Sequence, residues 1–433
     1  MNAPLWQSWD SEFVWHPYTQ MQLVPDAVPV ERAEGSYLYL SDGRKIFDGI
    51  SSWWVTLHGH AQPRIAAAIG AQAAKMEQVI FAGFTHEPAA TLAKRLVERM
   101  PRGLAKLFLS DNGSTAVEVA LKMSLQYWQL RGETRTTFLA LEDAYHGDTF
   151  GAMAASARSA FTAAFDPLLF DVVRLPFPAP PFAGNDYSDA EHRFLNDLGR
   201  HCKLSKPAAF IFEPLLLGAG GMRMWRAEVL REAVTIAREA GVLTIADEVL
   251  TGFGRTGTFV ACEQAGVSPD MMTLSKGITG GFLPLGATLC TREIFDAFLS
   301  DDRKKTFFHG HSYTGNPISC AAAVASLDVF DSEPVFDRIA AIGAVHSERM
   351  RPLAAKLGYA SRMLGTVAVM EPNNAEGYLS MNSLDLSKRA LAEGLLIRPL
   401  GDTIYFLPPY STRAEDMHMA YDVLERLLTT TSF

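Results

Sequence analysis

Cysteine is scarce and badly placed for linkage: the four, at 202, 262, 290 and 320, include no Cys-x-x-Cys pair. That spacing offers neither a disulfide framework nor a thiolate zinc site, and it fits small buried thiols in a reducing cytoplasm. The 11 histidines never recur at the His-x-x-x-His interval that puts two imidazoles on one helical face, so a metal centre has no support. No apolar stretch approaches the roughly 20 residues of a membrane-spanning helix. The opening residues, Met-Asn-Ala-Pro-Leu-Trp-Gln-Ser-Trp-Asp, put no basic region ahead of an apolar core, so no secretory leader is expected. Positive charge is the minority sign, 39 Lys and Arg against 48 Asp and Glu, and its longest run is Arg303-Lys304-Lys305. A net charge of −9 argues against a nucleic-acid partner. Repeats and low-complexity tracts are missing as well. The balance, 48% apolar and 20% charged over 433 residues, is that of a globular enzyme with two or three domains.

What is present is organised around one run, Val242 to Lys276. Val-Leu-Thr-Ile-Ala (242–246) is short, apolar and preceded by Gly241, which predicts a buried parallel strand ending on Asp247 and Glu248. A glycine-rich turn, Thr251 to Gly257, follows. A second apolar strand, 270–274, then delivers Ser275-Lys276-Gly277. An acid and an amine thus arrive at the carboxyl ends of two strands, the edge of an open α/β sheet where ligands bind. A buried ammonium is costly, and its pairing with an acid makes most sense with a ligand between them. Pyridoxal phosphate fits, with Asp247 holding the ring nitrogen protonated and Lys276 forming a Schiff base with the aldehyde. Taken singly, each residue has an ordinary reading: a strand-end acid as helix cap, a lysine before glycine as solvated.

From about Gln62 the chain alternates helix and strand signals, the pattern of a parallel sheet covered on both faces. A strand over 104–109 leads through Ser110-Asp111-Asn112-Gly113-Ser114 into an amphipathic helix over 115–130, whose amino end could hold a phosphate or could simply be capped by Ser and Asn. A strand over 138–141 runs into Tyr145 and His146, where the phenol could lie on a cofactor ring or be an ordinary loop residue. The strand over 208–212 ends on Glu213-Pro214, and Gly218-Ala-Gly-Gly221 then approaches a ligand. Ahead of all this, 37–40 and 45–47 make a hairpin around Asp42-Gly43. Trp53 and Trp54, read as adjacent strand positions, cannot face the same core; one is expected at a pocket or a second subunit, unless both pack under a loop. The organisation expected is an arm and hairpin over 1–60, a large cofactor-binding domain over 61–330 and a small α+β domain over 331–433.

The ordered run Asp247-Glu248, Gly-Phe-Gly-Arg-Thr-Gly and Ser-Lys-Gly resembles the signature of the class III aminotransferases. Trp15-His-Pro-Tyr18, Ser51-Ser-Trp-Trp54, Tyr145-His-Gly-Asp148 and Ile397-Arg-Pro399 extend the resemblance along the whole chain. They point to the branch that aminates 8-amino-7-oxononanoate with S-adenosylmethionine in biotin biosynthesis. The resemblance implies the α/β fold type I of pyridoxal-phosphate-dependent transferases, with a mostly parallel sheet, and a cytoplasmic homodimer with active sites at its interface. It makes Lys276, Asp247 and Tyr18 the catalytic candidates. Gly113, Ser114 and Tyr145 would bind cofactor from within the subunit, and His311 and Ser312 across the interface, where the family often has Pro-Thr. Trp53, Tyr18, Tyr145, Gly310 and Arg398 would line the substrate site, Arg398 clamping a carboxylate. Asp148 and Arg255 rank second, beside ordinary readings as a helix cap and a surface ion pair. The alternatives are a general ω-amino acid transaminase using pyruvate or 2-oxoglutarate, an aminomutase of the same fold, and a non-catalytic binding homologue, the last disfavoured by the presence of both Lys276 and Asp247.

Overall fold

The computed structural model describes residues 4–24, 26–179, 188–372 and 382–429. Its centre is a seven-stranded sheet in the order Leu104–Ser110, Gly286–Thr291, Met271–Leu274, Leu243–Asp247, Ala209–Phe212, Phe138–Leu141, Val172–Leu175. Gly286–Thr291 runs antiparallel to both neighbours, and the other strands share one direction. The strand read from the sequence at 242–246 is Leu243–Asp247, all five residues buried between helical layers, which is why it is apolar without alternation.

The helices that cover the sheet follow their apolar periodicity. Ala227–Glu239 buries Val229, Leu230, Ala233, Val234 and Ala237, a stripe at three- and four-residue spacing. Gly113–Leu130 begins two residues before the expected start, because the Asn112 side chain accepts from the Thr115 amide while the Thr115 hydroxyl accepts from the Asn112 amide, a reciprocal cap. The start of the Gly113–Leu130 helix and Asp247 therefore meet at the carboxyl edge of the sheet.

Tyr37–Leu40 and Lys45–Asp48 form the expected hairpin, Tyr37 opposite Phe47, with Gly43 at φ +89° in its turn. Val30–Glu34 adds a strand on one side and Leu395–Leu396 pairs in parallel on the other. A three-stranded antiparallel sheet, Ala360–Leu364, Val367–Glu371 and Ile404–Phe406, packs with the helices Val335–Leu357 and Ala414–Thr429 around a separate apolar cluster. Among the described residues no helix is long and apolar enough to cross a membrane, and no group of three or more metal-ligating side chains comes together. All four cysteines are buried and free.

Candidate active site

A cavity of about 650 Å³ opens at the carboxyl edge of the sheet, between the start of the Gly113–Leu130 helix and the ends of Leu243–Asp247 and Met271–Leu274. Gly113, Ser114, Tyr145, Asp247 and Lys276 all line it, so the structure brings together in one chain five residues singled out from sequence. Alternation along a strand separates the two adjacent acids. Asp247 faces the cavity. Glu248 turns away and accepts from the Thr251 hydroxyl and the amides of Ala261 and Cys262, tying down the glycine-rich turn.

Asp247 is buried and held by three donors. Its Oδ1 accepts from the Val249 amide at 3.1 Å and the Thr273 hydroxyl at 3.2 Å, and its Oδ2 from His146 Nδ1 at 2.7 Å. A carboxylate so held cannot swing away from the cavity, and its charge stays there. Lys276 leaves its strand with φ +42°, a strained backbone for a side chain with a Cβ, and its Nζ lies 4.9 Å from the centroid of the Trp54 ring. Burial pulls its amine below the ordinary lysine range, against the opposing pull of Asp247 and Glu213.

The anion end of the cavity is the helix start. The cap consumes the Thr115 amide, and among the described residues no acceptor takes those of Gly113 and Ser114, which leaves two donors at the positive end of an 18-residue helix. Bare backbone is required here: a Cβ on Gly113 would come within 2.8 Å of Val249, and one on Gly147 (φ +133°) within 2.1 Å of Ser114 Oγ. Acid, amine and anion cradle thus fit a pyridine ring that carries an aldehyde and a phosphate, the group named from the sequence.

Aromatic residues build the mouth. Tyr18, at φ +52°, donates its hydroxyl to the Asp148 carboxylate, and that hydroxyl is 3.3 Å from the Tyr145 hydroxyl. Burial, then the neighbouring Tyr18, holds the Tyr145 phenol far above its ordinary range. Trp53 meets Tyr18 edge-on at 5.5 Å, and the Arg398 guanidinium lies 5.0 Å over the Trp53 ring. Trp54 points elsewhere: it is buried, donates its indole N–H to Tyr405 and lines the cavity. The two tryptophans part as expected, but not by strand alternation. Ser51–Trp54 is a distorted helical turn with positive φ at Ser51, Ser52 and Trp54.

Gly310, His311 and Ser312 do not line the cavity of their own chain. His311 Nδ1 is 3.8 Å from Asp111, the Ser312 carbonyl accepts from Gln78, and neighbouring His309 pairs with Lys122. The ordinary readings of the second-rank pair give way. Asp148 is no helix cap, since its carboxylate receives Tyr18. Arg255 is no surface ion pair either: it is 1% exposed and donates to the carbonyls of Trp54, Thr56 and Pro408. Sequence reasoning left His146 and Glu213 without roles. Both stand directly after, or near, the carboxyl end of a buried strand, the one signal that could have found them.

The class III aminotransferase family model matches residues 19–428. An adenosylmethionine-8-amino-7-oxononanoate aminotransferase of Synechococcus elongatus is 46% identical over 424 residues, 96% of this chain and 98% of that protein. One of the same name from Geobacter sulfurreducens is 38% identical, covering 98% of this chain and 97% of its own. The crystal structure of the enzyme so named from Methanocaldococcus jannaschii superposes with a TM-score of 0.92 at 33% identity, over 99% of both chains. An amine transaminase from an uncultivated Pseudomonas species, solved in its PLP-bound form, gives 0.90 at 30% identity, over 96% of this chain and 98% of that one. Matched over nearly its whole length in sequence and in backbone, the chain belongs to the class III aminotransferases, enzymes of the pyridoxal-phosphate-dependent fold type I.

Proposed function

We propose that this chain moves an amino group from S-adenosylmethionine to the ketone of 8-amino-7-oxononanoate, forming 7,8-diaminononanoate for biotin biosynthesis, in two half-reactions at one site. The observation that carries the reading is a single cavity onto which the Lys276 amine and the Asp247 carboxylate both open, beside the helix start at Gly113. The names of relatives 46% and 38% identical over nearly their full length support this donor and acceptor.

When bound, pyridoxal phosphate supplies an aldehyde that condenses with primary amines and a cationic ring that draws in the electron pair of a breaking carbon–hydrogen bond. The chain's own residues do the rest. Gly113 and Ser114 offer amides to the phosphate, and Asp247, oriented by His146, keeps a proton on the pyridine nitrogen. Lys276 Nζ, kept unprotonated and so available by burial, takes the proton from the substrate carbon and returns it as general base and acid. Tyr145 would cover the ring, and Trp54, against the lysine amine, would keep water out. Trp53 and Tyr18 line the substrate path, Tyr18 also steering the amine, Gly310 joins that path from the neighbouring subunit, and Arg398 offers a planar pair of donors to the acceptor's carboxylate. Aromatic walls suit both a sulfonium cation and an alkyl chain.

The reading includes a cytoplasmic homodimer in which His311 and Ser312 reach the neighbouring site. Free, buried cysteines support the compartment. Exposed Trp9, Phe13 and Trp15 near the start of the chain, and exposed Phe308 and Tyr313 before and just after His311 and Ser312, support a covering partner. It also keeps divisions near residues 60 and 330, supported by a seven-stranded sheet contained within 104–291. A general amine transaminase is the second reading, favoured by the 0.90 TM-score to one.

The test is to mix cofactor-loaded protein with S-adenosylmethionine and follow the cofactor's near-visible absorbance. Loss of that band, its return on adding 8-amino-7-oxononanoate, and neither change in Lys276→Ala are expected. A band that responds only to simple amines with pyruvate would replace this reading with the second.

A further inference from the structure

Glu213 belongs to no part of the chemistry above, yet it is 5% exposed, at the end of the Ala209–Phe212 strand, and lines the same cavity. Its two oxygens are divided between two loops. Oε1 accepts from the Tyr145 amide at 3.0 Å and Oε2 from the Gly218 amide at 2.8 Å. The Tyr145 loop follows Phe138–Leu141 and the Gly218 turn follows Leu216–Leu217, so the carboxylate clasps two segments that are not themselves paired as strands, alongside the Arg223–Asp143 ion pair. Space around the clasp is fixed. A Cβ on Gly218 would meet Leu250 at 2.5 Å and Glu213 itself at 3.4 Å, and one on Gly220 would meet the Asp143 carbonyl at 2.2 Å.

We propose that Glu213 is a positioning residue: its carboxylate pins the Tyr145 backbone to the Gly218 turn and so holds the tyrosine at the height where it must cover the cofactor ring. This rests on the function read above. A carboxylate can accept from both amides at once, whereas a carboxamide offers one oxygen and turns an N–H₂ toward the second donor. The titratable groups that face it are His146 from the Tyr145 loop, Asp247 from the neighbouring strand and Lys276 beyond. Burial, only partly offset by His146 and the two amides, lifts its carboxyl to about 7. The two amides favour the ionised form, so a proton taken up below neutrality weakens the clasp while the side chain stays buried. Burial itself makes the protonated form the one the whole fold favours over the unfolded chain.

The experiment is amide hydrogen exchange on the cofactor-loaded protein, corrected for intrinsic rates. Peptides spanning 143–148 and 216–221 should lose protection roughly tenfold in Glu213→Gln, an order set by one lost buried hydrogen bond, while the central sheet stays protected. The rate constant for the donor half-reaction should fall in wild type below about pH 7 and run flat in the variant, which a merely structural residue would not cause. Unchanged exchange at both peptides, or a pH limb that survives in Glu213→Gln, overturns the proposal. Should that variant fail to fold, the wild type decides. Corrected protection of the two peptides must drop as pH is lowered from about 8.5 to 6, and a flat profile overturns the idea. Exchange needs no amino donor, so a failure of the assigned reaction leaves this result standing on its own.

Discussion

His146 Nδ1 donates to Asp247 Oδ2 at 2.7 Å, with both side chains closed to solvent. The carboxylate can only accept, so the proton sits on Nδ1 and the imidazole fixes which way the acid faces. Replacing Asp247 by Asn removes the charge and points an N–H₂ group at donors already present. Single-turnover rates should fall by roughly 10²–10³, the range for losing one preorganised electrostatic partner. His146→Gln, which loosens the acid without discharging it, should cost about tenfold, as outer-shell partners do. Equal losses in the two variants would sink this division of labour.

Gly147→Ala tests the anion cradle. The added Cβ would fall 2.1 Å from Ser114 Oγ, in a backbone at φ +133°. Ser114 Oγ accepts from the Asp148 amide at 3.1 Å, so displacing it disturbs the loop as well. Gly103 is the control: φ is +107° but nothing lies within 4 Å of its Cβ. Both alanines should lose about 1 kcal/mol from backbone strain. Cofactor affinity, read by equilibrium dialysis, should weaken roughly tenfold or more in Gly147→Ala alone, one charge-assisted hydrogen bond being worth that much.

Lys276 and Asp247 were legible because each ends a short apolar run that can only be a buried strand, and period-two alternation sends one of two adjacent acids inward. The helix start was legible to within two residues, at 115 against Gly113 in the structure. What escaped is non-local. Gly286–Thr291 inserts antiparallel between Leu104–Ser110 and Met271–Leu274, a pairing that no local signal encodes. Leu395–Leu396 pairs with Phe47 and Asp48, and two residues make no readable pattern. The positive φ at Ser51, Ser52 and Trp54 is imposed by tertiary contacts, against residue preference, so alternation was the wrong basis for parting Trp53 from Trp54. Arg255 and Glu213 look like surface charges by type; only the fold reveals the carbonyls and amides that allow their burial.

Arg398 projects over Trp53, and among the described residues no carboxylate lies within ion-pair distance of it. A guanidinium held by an indole face and by the Tyr18 carbonyl is left with donors for a substrate carboxylate. Arg398→Met should raise KM for the oxononanoate by about 10- to 100-fold, the worth of a bidentate charged contact. Arg398→Lys should recover only a small part, because an ammonium lacks the planar pair. Steady-state kinetics with a chain-shortened ketone lacking the carboxylate provides the check: the Met variant and wild type should treat it alike.

Buried titratable groups away from the chemistry set the acid stability. Burial, helped by Arg255 and Arg338, lowers the His58 imidazole to about 3, and burial lowers His346 to about 4. Unfolded, each takes a proton near 6.5; folded, neither does until well below, so each contributes stability above about pH 6.5 that is lost as pH falls toward its folded value. Glu213 runs the other way. Raised to about 7, it favours the folded state below its unfolded value and loses that contribution as pH rises through 7. Chemical denaturation between about pH 5 and 6.5 should resolve both signs, at about 1.4 kcal/mol per pH unit per proton. His58→Gln, still able to bond Ser326, should lower the slope of stability against pH by one proton, and Glu213→Gln should raise it by one. Slopes that match wild type in both variants would mean that neither group keeps its unusual protonation state in the folded chain.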